Sequence, residues 1–417
     1  MDAVPGPRSR PTARPAPGGA RVRTALVSVA LSLLAVALFD LAAYLVLPPA
    51  VAARFHPYRC PACVPPPAVP GRGAAIPDYY VADPERGFDI APSRTGKLHY
   101  VDGTLYPVWS NSLGCFDAEP SAVDRYVYLA GDSFVWGFTP YGDKIGTVLE
   151  RRLSLPVLKC GVSGTGQLHE LGKMKGVIAA VGRKPALIVD VYFANDVADD
   201  FAHPSTTVAH GWTAARVLLA RRDGRYELQP RSRAELEAAA AASPVAGAGP
   251  PDGPWYALAK YSLSFDIARG LVAKARRRLG APGGTGGDGL ARVYQPGLWQ
   301  RDGRFWYADN PYAARNRSAL REMKAYADAS GVPLLLLLIP PKGYATDPHY
   351  YDELKGTLRT MGIGFADAAE YFAKNGYRWW ELYWPRDAHL DPNGNRVVGA
   401  FLAERVGPLL HQSVSRH

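Results

Sequence analysis

Cysteine is scarce in this chain: four residues in 417, at positions 60, 63, 115 and 160. Cys60-Pro61-Ala62-Cys63 lies in a proline-rich stretch, where a local disulfide is the simplest reading if the compartment is oxidising. A metal site would need more ligands than this stretch offers, His56 being the only one nearby. Also missing are internal repeats and any basic stripe interleaved with aromatics, which argues against nucleic acid as a partner. The net charge of +10 is mostly a local matter. Residues 1–23 hold five arginines and one aspartate, giving +4, so only +6 is spread over the rest. Such a mild excess selects no particular partner. Hydrophobic residues make up 47% and charged residues 21%, which excludes wholesale disorder.

Long apolar runs are also lacking, with one exception. Ala25 to Leu47 is interrupted only by Asp40. At ~1.5 Å per residue it reaches about 35 Å, enough to cross a hydrocarbon core of about 30 Å. Arg8, Arg10, Arg14, Arg21 and Arg23 precede it, and the positive-inside rule places them in the cytoplasm. A cleaved signal peptide ending near Ala50-Val51-Ala52 is the competing reading, but the run is longer than a signal-peptide core. No cysteine suited to lipidation sits at its end. The expectation is a single-pass bacterial inner-membrane anchor over 24–47, with a disordered basic tail over 1–23 and the rest of the chain extracytoplasmic.

Residues 48–98 read as a juxtamembrane linker, rich in Pro-Pro and Pro-Gly pairs up to about residue 76. Alternating strand and helix signals begin near Asp124. Tyr126–Ala130 reads as a buried strand, Pro156–Cys160 as a second, and Ala186–Ala194 as a third. A helix is expected from the Gly161–Gly166 turn to about Val181. Residues 203–309 break the pattern and read as an inserted cap, with a helical, basic stretch at Trp255–Leu279 and a flexible Gly280–Gly289 loop. The pattern resumes at Asn310-Pro311, a capped helix start whose apolar face is Leu320, Met323 and Ala327 and whose stop is Gly331. Pro333–Ile339 is an apolar strand. Asp391-Pro392 caps a last helix that buries Val397, Val398, Phe401, Leu402 and Val406.

Four polar segments fall at the carboxyl ends of strands or just before the last helix: Gly131-Asp132-Ser133-Phe134, Gly161-Val162-Ser163-Gly164, Ala194-Asn195-Asp196 and Asp387-Ala388-His389-Leu390. That edge of an open α/β sheet is where ligands bind. Ser133 sits at a sharp strand-to-helix turn and needs a base to attack a carbonyl. His389 can be that base, with Asp387 fixing its tautomer. The amide N–H groups of Ser133 and Gly164 and the side chain of Asn195 can form an oxyanion hole. Each segment alone is weak: Gly-Asp-Ser is a common turn, Asn-Asp a common helix cap, and a histidine before a helix a common surface residue. Their joint order and placement carry the reading.

These blocks resemble the SGNH (GDSL-type) hydrolase superfamily over roughly residues 100–202 and 310–410. In that family a Gly-Asp-Ser block carries the nucleophile, later Gly and Asn residues complete the oxyanion hole, and an Asp-x-x-His block supplies acid and base. Asn111-Ser112-Leu113-Gly114 and His389-Leu390-Asp391-Pro392-Asn393-Gly394 look like membrane-anchored bacterial members. Two departures stand out. The last block is Asp-x-His, a spacing shared with alginate-acetylation proteins and related acyltransferase-like members, and the third block lacks its usual preceding glycine.

The aromatic stretch Tyr377 to Trp384 invites a sugar-stacking reading, with Arg378 and Arg386 near an acidic sugar, against the simpler reading that it packs the core or cap. Glu381 beside Asp387 would suggest paired glycosidase carboxylates, but no second motif supports that chemistry. The resemblance implies a flavodoxin-like three-layer α/β/α sandwich with a parallel sheet in two parts, 99–202 and 310–412. It implies no metal or organic cofactor. The expected activity is hydrolysis of an O-acyl ester, acetyl above all, on a cell-envelope glycan or lipid. Transfer of acetyl to an exopolysaccharide, with polysaccharide-biosynthesis partners, uses the same triad. A non-catalytic glycan-binding scaffold is the third reading.

Overall fold

The short apolar runs of the sequence assemble into one parallel sheet. The structure, a computed structural model, describes residues 18–46, 79–95, 97–101, 104–120, 124–209, 212–242, 295–385 and 387–414, with a few between 262 and 271. Expectations for the tail before residue 18, the Cys60/Cys63 pair, the proline-rich linker to residue 76, most of the Trp255–Leu279 stretch, the Gly280–Gly289 loop and Arg386 lie outside the described residues.

The chain divides into two compact units. The smaller holds helix α1 (Gly18–Val46) and the few described residues between 262 and 271. Within α1, Arg23–Ala42 is long and apolar enough to cross a membrane. Asp40, the polar interruption, is buried, and its Oδ1 accepts hydrogen bonds from Ser264 N (3.0 Å) and Ser264 Oγ (2.8 Å).

The larger unit opens with two antiparallel hairpins. One pairs β1 (Tyr80–Asp83) with β2 (Gly87–Ile90), the other β3 (Lys97–Val101) with β4 (Thr104–Val108). Residues 79–98 therefore carry strands where the sequence suggested linker. Tyr79, Phe88, Ile90, Tyr106 and Val108 pack on Trp136, Val162 and Trp384, around the site described below. Strands this short, with few alternating positions, give a weak periodic signal.

The core follows in βαβ order. It runs through β5 (Val127–Gly131), α2 (Ser133–Trp136), α3 (Ile145–Leu153), β6 (Val157–Lys159), α4 (Gln167–Val181), β7 (Leu187–Tyr192) and α5 (Asp196–Ala202). Hairpins β8 (Thr206–Ala209) with β9 (Trp212–Ala215) and β10 (Val217–Arg222) with β11 (Arg225–Pro230) begin the inserted region, followed by α6 (Arg233–Ala242) and the small pair β12 (Gln300–Arg301) and β13 (Arg304–Phe305). The second part of the core is α7 (Ala314–Ser330), β14 (Leu334–Leu338), α8 (Asp352–Thr360), β15 (Gly364–Asp367), α9 (Ala368–Lys374), α10 (Trp379–Leu382) and α11 (Pro392–Val414).

The sheet order is β15-β14-β7-β5-β6, all parallel. Numbered by core strand this is 5-4-3-1-2, the flavodoxin-like order, whose switch point lies between the first and third strands. Here those are β5 and β7. Helices cover both faces, as alternation along the strands requires. Val127, Leu129, Val189, Val191, Leu335 and Leu337 face Leu149, Phe372, Val398 and Phe401. The intervening Tyr128, Ile188, Leu336 and Leu338 face Leu171, Met174, Leu320, Met323 and Leu354. Asn310 caps a single 3-10 turn, Pro311–Ala313, before α7 begins, and Gly331 ends α7 in the left-handed region at φ 68°. Cys115 and Cys160 form a disulfide that ties the segment after β4 to the end of β6.

Candidate active site

Ser133 is the first residue of α2, directly after the Gly131-Asp132 turn that ends β5. Gly131 has φ 148°, and a Cβ there would lie 2.5 Å from Val135 Cγ2 and 3.0 Å from Val191 Cβ, so no other residue fits this turn without displacement. The Asp132 carboxylate caps α2 by accepting from Phe134 N at 2.9 Å. Ser133 Oγ lies 2.8 Å from His389 Nε2 and 3.1 Å from Asp132 Oδ2.

His389 arrives from the other end of the chain, on the loop between α10 and α11. Its Nδ1 lies 2.5 Å from Asp387 Oδ1, and the same oxygen accepts the His389 backbone N–H at 2.9 Å. The Asp387 carboxylate thus accepts a hydrogen bond from Nδ1–H, which leaves Nε2 facing Ser133 as an acceptor. Burial works against ionisation of Asp387, but the bond and charge of His389 outweigh it and hold the carboxyl below its ordinary value. The Phe138 ring stacks on the His389 imidazole, 3.7 Å between centroids and 4° from parallel. Trp384 Nε1 donates to the Phe138 carbonyl at 2.7 Å and holds that stack in place.

Ser133, His389 and Asp387 are joined in one hydrogen-bonded chain. Gly164 and Asn195 stand on the turns after β6 and β7, at the same carboxyl edge, and make no hydrogen bond to that chain among the described residues. Gly164 has φ 79°, a conformation that glycine adopts without strain. The Asn195 amide donates through Nδ2 to Asp199 Oδ2 at 2.8 Å. An amide has two N–H hydrogens, so Asp199 fixes its plane and leaves one for a ligand.

Beneath the β7 edge lies a set of buried carboxyls of which the sequence reading named only Asp196. Gln167 Nε2 donates to Asp196 Oδ2 (2.7 Å), and Asn316 Nδ2 donates to Asp200 Oδ2 (2.8 Å) and to Gln167 Oε1 (2.5 Å). Burial is the main influence on this set. It pushes Asp190 up to about 6 and Asp200 up to about 7, and Glu170 and Asp196 well above the usual carboxylate range. Both Glu170 oxygens and Asp190 Oδ1 meet no N–H or O–H donor among the described residues. The Glu170 and Asp190 carboxyls influence each other, and burial favours their protonated forms. The sequence signal was there: Asp190 is the one charged residue inside the apolar run Leu187–Tyr192.

The aromatic stretch before Asp387 is mostly structural. Leu382, Tyr383 and Trp384 are buried, and Tyr383 Oη donates to the Pro340 carbonyl. Glu381 accepts from Arg378 N at 2.7 Å and caps α10, an ordinary structural role.

No protein-family model matches the chain, and no curated protein does. Among solved structures it is similar to a G-D-S-L family lipolytic protein from Desulfitobacterium hafniense DCB-2, at 12% identity and a TM-score of 0.31, covering 67% of this chain and 99% of that one. It is also similar to LAE5, an alpha/beta hydrolase enzyme from the metagenome of Lake Arreo, Spain, at 13% identity and a TM-score of 0.34, covering 69% and 98%. Likenesses this distant carry nothing about function. The strand order and the Ser-His-Asp geometry are properties of this chain's own structure.

Proposed function

We propose that this chain is a serine esterase of the SGNH type that cleaves an O-acyl ester through an acyl-serine intermediate. The observation that carries the reading is the Ser133–His389–Asp387 chain at the β5/β7 switch point, with Nε2 at 2.8 Å from the hydroxyl. His389 removes the Ser133 proton as Oγ attacks the ester carbonyl. Asp387 stabilises the imidazolium that forms. The Ser133 and Gly164 amides and the free N–H of Asn195 receive the oxyanion. The imidazolium then protonates the departing alcohol, and water, deprotonated by His389, releases the acid.

The apolar span Arg23–Ala42, the arginines before it and the Cys115–Cys160 disulfide support an extracytoplasmic site anchored in the inner membrane, with an envelope glycan or lipid ester as substrate and acetyl as the acyl group. A second reading, acetyl transfer to an exopolysaccharide, is favoured by the short Asp-x-His spacing: Asp387 Oδ1 reaches both the backbone and the ring of His389 across one intervening residue. In that case a sugar hydroxyl replaces water in the second half-reaction.

The test is acetate release from a chromogenic acetyl ester by the full chain in detergent, beside Ser133→Ala. Release abolished by the substitution supports the esterase. Release by a folded Ser133→Ala protein at the wild-type rate would overturn it. A folded wild type that is acetylated on Ser133 and loses the acetyl group only when a polysaccharide is added, with the acetyl ester appearing on the sugar and no acetate released, would move the assignment to the transferase. Glycan binding with no Ser133 adduct would move it to a scaffold.

A further inference from the structure

Lys342 lies four residues beyond β14 and touches none of the reacting atoms. Its ammonium donates to three backbone carbonyls of one turn: Trp384 at 2.5 Å, Pro385 at 2.8 Å and Asp387 at 3.2 Å. It also sits 4.7 Å from the Trp379 ring centroid. An ammonium offers three N–H donors, and here one turn provides an acceptor for each. That turn is the tip of a small hairpin. Trp384 N donates to His389 O at 3.0 Å, Asp391 N donates to Leu382 O at 2.9 Å, and Tyr383 bridges Leu390. Backbone bonds therefore close the base of the hairpin. At the tip the Pro385 and Asp387 carbonyls face Lys342, and Pro385 has no N–H to offer them. Converging carbonyl dipoles repel one another unless a cation or donor sits between them.

The geometry points to Lys342 as the positioning residue for the Asp387–His389 pair. It grips the Asp387 carbonyl while the Asp387 carboxylate grips His389, so the carboxylate projects from a backbone pinned to the end of β14. Asp387 lies in the pinned tip and His389 at the closed base, separated by a single residue. A guanidinium does not substitute, because its planar fork cannot converge on three carbonyls as a compact ammonium does. The effect on turnover rests on the esterase reading above; the effect on the Asp387–His389 hydrogen bond does not.

The test compares Lys342→Met with wild type in the full chain in detergent, by two readouts: steady-state hydrolysis of the acetyl ester, and the far-downfield proton resonance of His389 Nδ1–H. We expect kcat to fall about 10- to 100-fold, as for a misplacement of order 1 Å, with KM changed less than about twofold. The resonance should broaden or vanish while the circular dichroism spectrum is kept. Lys342→Arg should not restore either readout. Lys342→Cys alkylated with bromoethylamine, a thioether analogue of lysine, should restore both, with alkylated wild type as control. A folded Lys342→Met protein with wild-type kcat and resonance would overturn the proposal. So would alkylation of the cysteine variant that leaves both readouts unchanged, or loss of fold in both variants, since Lys342 would then serve general stability. If wild type hydrolyses no ester, the esterase reading fails and the resonance alone decides the role of Lys342.

Discussion

Two sets of carboxyls, one on the loop before α11 and one between α4 and β7, end in opposite states. On the His389 loop, Asp387 has an imidazole 2.5 Å away and is held ionised, below its ordinary value. Under the β7 edge, Asp190 and Glu170 have each other and amide groups for company, and burial drives them toward the neutral form. Burial penalises ionisation in both places. The difference is the partner: a base that accepts charge in one, a second acid in the other. In the proposed reaction the first set backs a moving proton, while burial favours the protonated form of the second.

Amide substitutions sharpen this contrast, because they keep shape and remove the charge. Asp387→Asn should lower kcat by about 10⁴ through the wrong imidazole tautomer, with little change in thermal stability. Comparable turnover in wild type and Asp387→Asn would separate Asp387 from the reaction. Asn195→Ala should cost about 10² to 10³ in kcat by removing one oxyanion donor, measured on the same ester at saturating concentration. A change confined to KM would make Asn195 a binding residue instead.

Asp190→Asn should act on stability rather than turnover. The folded Asp190 carboxyl is raised from its ordinary 3.8 to about 6, so the native state holds a proton that the unfolded chain has lost in that window. Its contribution is fully present below about pH 4 and disappears as pH rises through about 6. In Asp190→Asn this contribution is removed, and the fall of Tm with pH between 4 and 7 should become less steep, with the raised Asp200, Glu170 and Asp196 keeping a residual slope. A variant whose Tm falls with pH as steeply as the wild type would contradict a raised Asp190 carboxyl. The smallest effect is expected at the stack on His389: Phe138→Leu should reduce kcat by less than about tenfold, since it removes a ring contact and leaves every hydrogen bond of the triad in place.

Much of this arrangement was legible in the residues. The apolar runs behind Ser133, Gly164 and Asn195 mark β5, β6 and β7 within one or two residues, because buried parallel strands are continuously apolar. The Ser133, Asp387 and His389 grouping was equally readable, since a nucleophile, a base and an orienting acid have restricted residue identities. Less visible were elements whose logic is tertiary. The Gly364–Asp367 strand is an edge strand of four residues, too short to show a period. The hairpins at residues 80–108 bury their aromatics against distant residues, and no local pattern announces that. Lys342 looks like any surface lysine until the fold brings the Trp384, Pro385 and Asp387 carbonyls around it.

The central claim is that Ser133 becomes covalently acylated with His389 as its base. Intact-protein mass spectrometry of the full chain after mixing with an activated acetyl ester, followed by peptide mapping, tests it most directly. The account predicts one acetyl group, on the peptide containing Ser133, absent in Ser133→Ala and greatly slowed in His389→Ala. Ester turnover without any Ser133 adduct, or a Ser133 adduct that forms equally fast without His389, would contradict it.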